Sequence, residues 1–245
     1  MLITSMDNER VKKYIKLKEK KHRDRTGEFI VEGSHLVIEA YKKGLIVELI
    51  LEQEEVFPLP IDDVIYLPRE IIEKISSVET PQMVMALCRK QEEKEELGNK
   101  ILLVDDVQDP GNLGTIIRSA VAFNVDTVVL SPNTVDLYNP KTIRSTQGMF
   151  FHINVIKRDL NEVIPLIKNE GIPLYGTLVE HGSDVRTLSA KDKVCYALIV
   201  GNEGNGVHRE ISLLCDKNLY IEMTGIVESL NVGVATSILL YELGR

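Results

Sequence analysis

The stretch VCYALIVGNEG (194–204) decides the fold, together with its continuation to Val207. A continuous apolar, β-branched run breaks into Gly201, Gly204 and Gly206 within six residues. A strand without polar alternation is buried on both faces, as in a parallel sheet covered by helices. The glycines call for positive φ or close backbone approach. Outward from this run, ILLVDD (101–106), DTVVLS (126–131), IPLYGTLV (172–179) and the shorter NLYIEM (218–223) repeat the pattern. Helical segments near 112–123, 140–146, 160–169, 206–215 and 230–243 alternate with them. The alternation predicts an α/β domain over 101–245, with ligands bound beyond the carboxyl ends of the strands.

Upstream, the pattern restarts as a smaller α/β unit over 1–92. EFIVEG (28–33), VELILEQ (47–53), VIYLP (64–68) and QMVMALCR (82–89) read as strands. Ser34 opens a helix that Gly44 stops, and PREIIEKISS reads as another helix. The charged stretch KQEEKEELGNK (90–100) reads as an interdomain connection, with 93–100 taken as the linker.

The 245 residues carry a formal net charge of -8, with 44% hydrophobic and 27% charged residues. That composition excludes a chain that is mainly disordered. Averaged over the molecule, the acidity argues against a nucleic-acid partner. Along the chain it separates: the first 25 residues carry nine Lys or Arg and four Asp or Glu, whereas residues 45–80 carry two basic and nine acidic side chains. Lys12, Lys13, Lys20, Lys21, Arg23 and Arg25 fall in an amphipathic helix with a cationic face that runs on into a basic loop. Such a run is either a solvated face or an RNA-docking face.

Cys88, Cys195 and Cys215 are odd in number and widely spaced, which fits reduced thiols rather than a disulfide framework or a zinc ribbon. The histidines His22, His35, His152, His181 and His208 lack HxxxH or HExxH spacing, so no metal is expected. No apolar run approaches the roughly 20 residues that span a bilayer, and the N-terminus lacks the order of a signal peptide. The expected compartment is the cytoplasm, with no membrane partner.

Three segments after strands carry the chemistry. In DDVQDPGNLGTIIRSA (105–120), Asp109-Pro110-Gly111 turns the chain and Asn112 stands where a helix begins; Arg118, six residues on, either reaches the strand-end crevice or points into solvent. In IVGNEGNGV (199–207), the order GxxGxG is neither a dinucleotide fingerprint nor a P-loop, and Glu203 among the glycines would repel a phosphate. In IEMTGIVESLNVGVATSILLYE (221–242), Ser229 is placed as the N-cap of the last helix, with no sign of a nucleophilic serine. Gly233 inside that helix costs about 1 kcal/mol against Ala, so close packing against another backbone is expected.

In this order and spacing, NLGTIIRSA, IVGNEGNGV and the 221–242 segment resemble the three motifs of the SpoU family of RNA ribose 2′-O-methyltransferases, within the SPOUT superfamily. KKHRDRTGEFIVEGSHLVIEA is similar to the family's ribosomal-protein-like substrate-binding domain, and NPKTIRSTQGMFF (139–151), which contains Arg144, to a further family stretch. The resemblance implies a deep C-terminal trefoil knot, S-adenosylmethionine as methyl donor, and a homodimer formed by the C-terminal domains, in which Gly233 and Ala235 would find a use. It implies donor contacts from Thr177, Leu178, Gly201, Ile221, Met223 and Leu230. It assigns catalytic positions to Asn112, Arg118, Glu203, Ser229 and Asn231, and adds Arg144 to the RNA-binding side chains. A free guanidinium stays charged, so Arg118 is expected to orient a phosphate and stabilise the developing alkoxide. Gly233 departs from the family's usual Ser or Ala without touching the polar set. Ribosomal RNA is the expected substrate. A transfer-RNA 2′-O-methyltransferase, a non-catalytic RNA-binding or ribosome-assembly factor on the same fold, and a nucleotide-dependent enzyme using the Gly-rich loop are the rivals.

Overall fold

The computed structural model describes residues 1–178 and 182–245; Val179, the last residue of one expected strand, and His181 lie outside them. The chain divides into two compact units, one of residues 1–92 and 136–151, the other of 93–135 and 152–245.

The first unit contains α1 (Glu9–Lys16), α2 (Lys20–Thr26), β1 (Glu28–Glu32), α3 (Ser34–Lys42), β2 (Ile46–Glu52), β3 (Val64–Leu67), α4 (Arg69–Ile75) and β4 (Val84–Arg89). Its sheet runs β1-β4-β2-β3, antiparallel except for the β2–β3 pair. Val11, Tyr14 and Leu17 pack with Ile50, Ile65, Leu67, Ile71, Ile72 and Met85 into one apolar core. Strand alternation sends Ile30 toward that core and Phe29 the other way. Phe29 meets Tyr138 at 4.8 Å between ring centroids and Phe150 at 6.0 Å. Those aromatics explain why 136–151, assigned from sequence to the downstream domain, belongs to this unit instead.

The basic N-terminal run also differs from expectation. It folds as two short helices, α2 replacing the expected loop and ending at Gly27 in the left-handed region (φ 68°). Arg23 does not face solvent. It is 3% exposed, donates to the carbonyls of Leu17 and Lys18, and pairs with Asp136 at 2.6 Å. This guanidinium stitches the turn between the helices to the 136–151 segment and is unavailable to RNA.

The second unit holds β5 (Lys100–Val104), α5 (Pro110–Ala122), β6 (Thr127–Leu130), β7 (Asn154–Lys157), α7 (Leu160–Asn169), β8 (Leu174–Thr177), β9 (Ser183–Asp184), β10 (Tyr196–Val200), α8 (Arg209–Ser212), β11 (Lys217–Tyr220) and α9 (Val232–Leu243); α6 (Pro140–Thr146) lies in the first unit. Its strands form one parallel sheet in the order β7-β6-β5-β10-β8-β11-β9. β5 and β10 are nearly wholly buried, as their unbroken apolar runs require. The edge strands β7 and β9 carry no comparable run and were not expected. Asp109, Asn139 and Asp159 cap α5, α6 and α7 by accepting from early helix N–H groups. The cap of α9 is Asn231, not Ser229, because the chain stays irregular through residue 231. Residues 93–100 are not a free linker: Lys94 and Asn154 exchange hydrogen bonds, Leu97 packs on the core, and Asn99 and Lys100 donate to Asp126. Among the described residues, no helix is long and apolar enough to cross a membrane.

Removing one partner of a buried ion pair strands the other. Arg23→Ala is therefore expected to lower stability by about 3 kcal/mol, measured by urea unfolding of the first unit's transition. A loss well under that would mean the Arg23–Asp136 pair does not hold the turn.

Candidate active site

Four adjacent parallel strands, β5, β10, β8 and β11, end on the same edge of the sheet. The segments that leave β8, β10 and β11 line a cavity of about 460 Å³. Thr177 and Leu178 follow β8. Gly201, Glu203 and Val207 follow β10. Ile221, Met223, Ser229, Leu230 and Asn231 follow β11, and all of these line the cavity. The six residues expected to hold a cofactor are thus brought together.

The Gly-rich segment is folded on itself. Asn202 and Gly206 exchange backbone hydrogen bonds of 2.9 Å in both directions. A Cβ at Gly201 would lie 2.0 Å from the Gly206 carbonyl carbon, so only glycine permits this close approach. Asn202 braces the turn, accepting from Gly204 N–H and donating to the Asp106 carbonyl. Sequence reading singled out the glycines but not Asn202.

Glu203 ties the segments together. Its carboxylate accepts from the backbone N–H groups of Gln108 and Asp109 and, at 2.9 Å, from the Asn112 side-chain amide. Asn112 in turn accepts from the Asn231 amide at 2.8 Å, and Asn231 caps α9 through Gly233 and Val234 N–H. Burial pushes the Glu203 carboxyl upward, but these donors, Asn112 foremost, outweigh it and hold the group below the usual carboxylate range. One ionised carboxylate and two amides therefore link all three motifs. Ser229 lines the cavity with no hydrogen-bond partner among the described residues. Among the described residues, no Lys, Arg or His lines it, a donor set that suits a neutral or cationic ligand and not a phosphate.

Arg118 is not brought to this set. Six residues along an α-helix turn the side chain well away from Asn112; Arg118 is exposed on α5 and absent from the cavity lining. Gly233 is buried against the Thr115 side chain of α5 rather than against a backbone, and Ala235 lines the cavity, so both small residues already have uses within one chain.

Beside the site, His208 donates its N–H to Asp105 at 2.8 Å, and its Nδ1 lies 2.9 Å from the same carboxylate. Asp106, also close to this histidine, accepts from Ser131 and Asn133. Sequence spacing offered no signal for this cluster beyond two aspartates at a strand end.

In the first unit, Lys12, Lys13, Lys16, His22 and Arg25 line a cleft of about 180 Å³. Lys12 is paired with Glu9 and Asp7, Lys13 with Glu28, and Lys20 with Asp24. Lys16, Lys21 and Arg25 have no carboxylate partner among the described residues. Arg25 bonds to His22 Nδ1, and Arg144 is half-buried and donates to Ser77.

Residues 99–241 match the SpoU rRNA Methylase family. The chain belongs to that family. Residues 8–86 match an MRM3-like substrate binding domain. A protein from Bacillus subtilis, named 23S rRNA (guanosine(2553)-2′-O)-methyltransferase RlmP, is 42% identical across 98% of both chains. Among solved structures, an AdoMet-bound rRNA methyltransferase from Sinorhizobium meliloti superposes with a TM-score of 0.87 at 29% identity, covering 99% of this chain and 97% of that one. The SpoU methyltransferase AviRb from Streptomyces viridochromogenes, in complex with AdoMet, gives 0.87 at 26% identity over 97% of each chain. This SpoU chain shares their mixed α/β architecture with a parallel sheet flanked by helices.

Gly201→Ala is expected to force the Gly-rich segment open. The amides of Asn202 and Gly206 should then exchange with solvent about tenfold faster or more, read by hydrogen–deuterium exchange. Unchanged protection would show that the close approach is not required.

Proposed function

We propose that this SpoU-family chain transfers a methyl group from S-adenosylmethionine to a ribose 2′-OH of 23S ribosomal RNA. The observation that carries the reading is the cavity itself: the second and third motif segments line it, the first is tied to its wall through Asn112, Glu203 is ionised there, and among the described residues no basic side chain lines it. A sulfonium donor is cationic and fits that wall; a dinucleotide's phosphates do not. Thr177, Leu178, Gly201, Ile221, Met223 and Leu230 would hold the donor. When bound, it supplies a methyl on positively charged sulfur, which leaves as a neutral thioether and needs no acid. The protein's task is alignment and proton departure. Asn112, Ser229 and Asn231 offer hydrogen bonds to the ribose. Arg118 keeps its charge, positions a backbone phosphate and stabilises the oxygen as its proton passes to solvent water. The linked polar set argues against a non-catalytic factor.

The full-length similarity to RlmP supports ribosomal RNA over transfer RNA, together with the substrate-binding domain. We place the work of the enzyme in the cytoplasm. The C-terminal trefoil knot and the homodimer belong to the same proposal. Apolar side chains support the dimer: Ile226 is 88% exposed, as are, to about half, its neighbour Val227 and Val234 and Tyr241 of α9. A dimer also answers the position of Arg118, which lies outside its own cavity and could serve that of a second copy.

Methyl transfer from labelled donor to 23S RNA, starting at the guanosine that the relative's name specifies, tests the activity; a product on the base or no product overturns it. Arg118→Ala and Glu203→Ala are each expected to be nearly inactive. Mixed after unfolding and reassembly, they should recover about a quarter of wild-type activity if sites are shared across a dimer; no recovery would confine each site to one chain.

RNA docking is assigned to the cleft between α1 and α2. Neutralising Lys16, Lys21 and Arg25 together should reduce the slope of log K against log salt by about two, measured by fluorescence anisotropy. An unchanged slope would make this an ordinary solvated face.

A further inference from the structure

The Gly-rich segment is held at both ends by the end of β5. At its start, Asn202 donates to the Asp106 carbonyl at 2.8 Å. At its finish, His208 gives Asp105 two contacts, from the backbone N–H and from the imidazole. Between those ends lies Glu203, which charges the cavity wall, and Gly201 immediately precedes them. Asp105 is buried, whereas the His208 side chain is 58% exposed. Aspartate is therefore fixed by the fold, and the histidine is the movable half of the pair. Arg209 adjoins the histidine in sequence, but the described charged groups that act on the ring are acidic: Asp105 at contact distance, Asp106 at 3.9 Å from Nε2, and Glu210 from α8.

We propose that His208 is a positioning residue that latches the Gly-rich segment to Asp105, holding Glu203 and the cavity floor in the donor-binding shape, and that the latch is tightest when the imidazole is protonated. This rests on the reading of the cavity as a methyl-donor site. The ring contributes through Asp105 and touches neither donor nor RNA. The hydrogen bond to Asp105, then the field of that carboxylate, raises His208 above its ordinary value. A group raised on folding contributes fully below its unfolded pKa of about 6.5 and loses that contribution as pH climbs through the raised value. A neutral imidazole can keep an Nδ1–H bond to Asp105, so the latch weakens at high pH rather than vanishing.

His208→Ala and His208→Asn separate the roles, because the Asn amide can replace Nδ1 as donor without titrating. Hydrogen exchange of the ligand-free protein over 202–207, at one pH near 6, should be about tenfold faster in the Ala variant and near wild type in the Asn variant. Calorimetry with S-adenosylhomocysteine should show wild-type affinity falling about fivefold between pH 6 and pH 9. The Asn variant should be flat across that range, and the Ala variant weak throughout. Exchange unchanged in the Ala variant overturns the latch. So does an Asn variant that keeps the wild-type pH profile, or a loss of RNA affinity with donor affinity intact, which would make His208 an RNA contact. The exchange experiment needs no ligand, so its failure is distinct from failure of the donor reading.

Discussion

One carboxylate organises the second unit. Glu203 sits in the turn after β10, yet its donors come from the segment after β5, nearly a hundred residues earlier in the chain. An ionised side chain at a partly enclosed strand end is costly unless its lone pairs are filled. Here two backbone N–H groups and an amide fill them, and the amide's other atom is engaged by Asn231. The interaction that satisfies the charge therefore also fixes the entry of α5 and the start of α9. Glu203 and Asn231, which line the cavity, are thereby tied to the entry of α5 beside it.

The same economy explains the basic N-terminus. Nine cations in 25 residues invite a single functional reading, yet the structure distributes them among different tasks. Arg23 is an internal brace on Asp136. Lys12, Lys13 and Lys20 are paired with carboxylates, and exposed pairs of that kind contribute little stability while muting long-range attraction. Arg10 is likewise paired, with Glu48 and Asp63, so what remains for a polyanion among the described residues is Lys16, Lys18, Lys21 and Arg25. Net charge along the sequence located the right region, and only side-chain partners distinguished the charges that are free within it.

Most of the parallel sheet was legible because two-sided burial leaves unbroken apolar runs, as at 101–104 and 196–200. The cofactor-lining positions were legible only through resemblance of three motifs, since glycine spacing alone fitted a tight turn equally well. Other features left no local trace. β7 and β9 are short edge strands without a continuous apolar run. Ser229 and Asn231 are both competent caps, and the choice depends on where the irregular chain finally turns helical. Residues 136–151 follow the second unit in sequence but pack with the first, because the ring partners of Phe29 are Tyr138, Phe150 and Phe151. That is a long-range fact which no window of sequence contains.

The site's dependence on distant segments has a consequence for stability. Residues 105–112, 201–208 and 221–231 come from separate strand ends of a sheet in which β10 lies between β5 and β8. Such non-local contacts form late and are the readiest to open. A ligand seated among them binds only the assembled state, so it adds RT ln(1 + [L]/Kd) to the stability of these loops. On the proposed function, Glu203 and Asn112 tie together the segments that such a ligand would protect. On this arrangement, changes in donor affinity and changes in local order at the strand ends are two readings of one equilibrium.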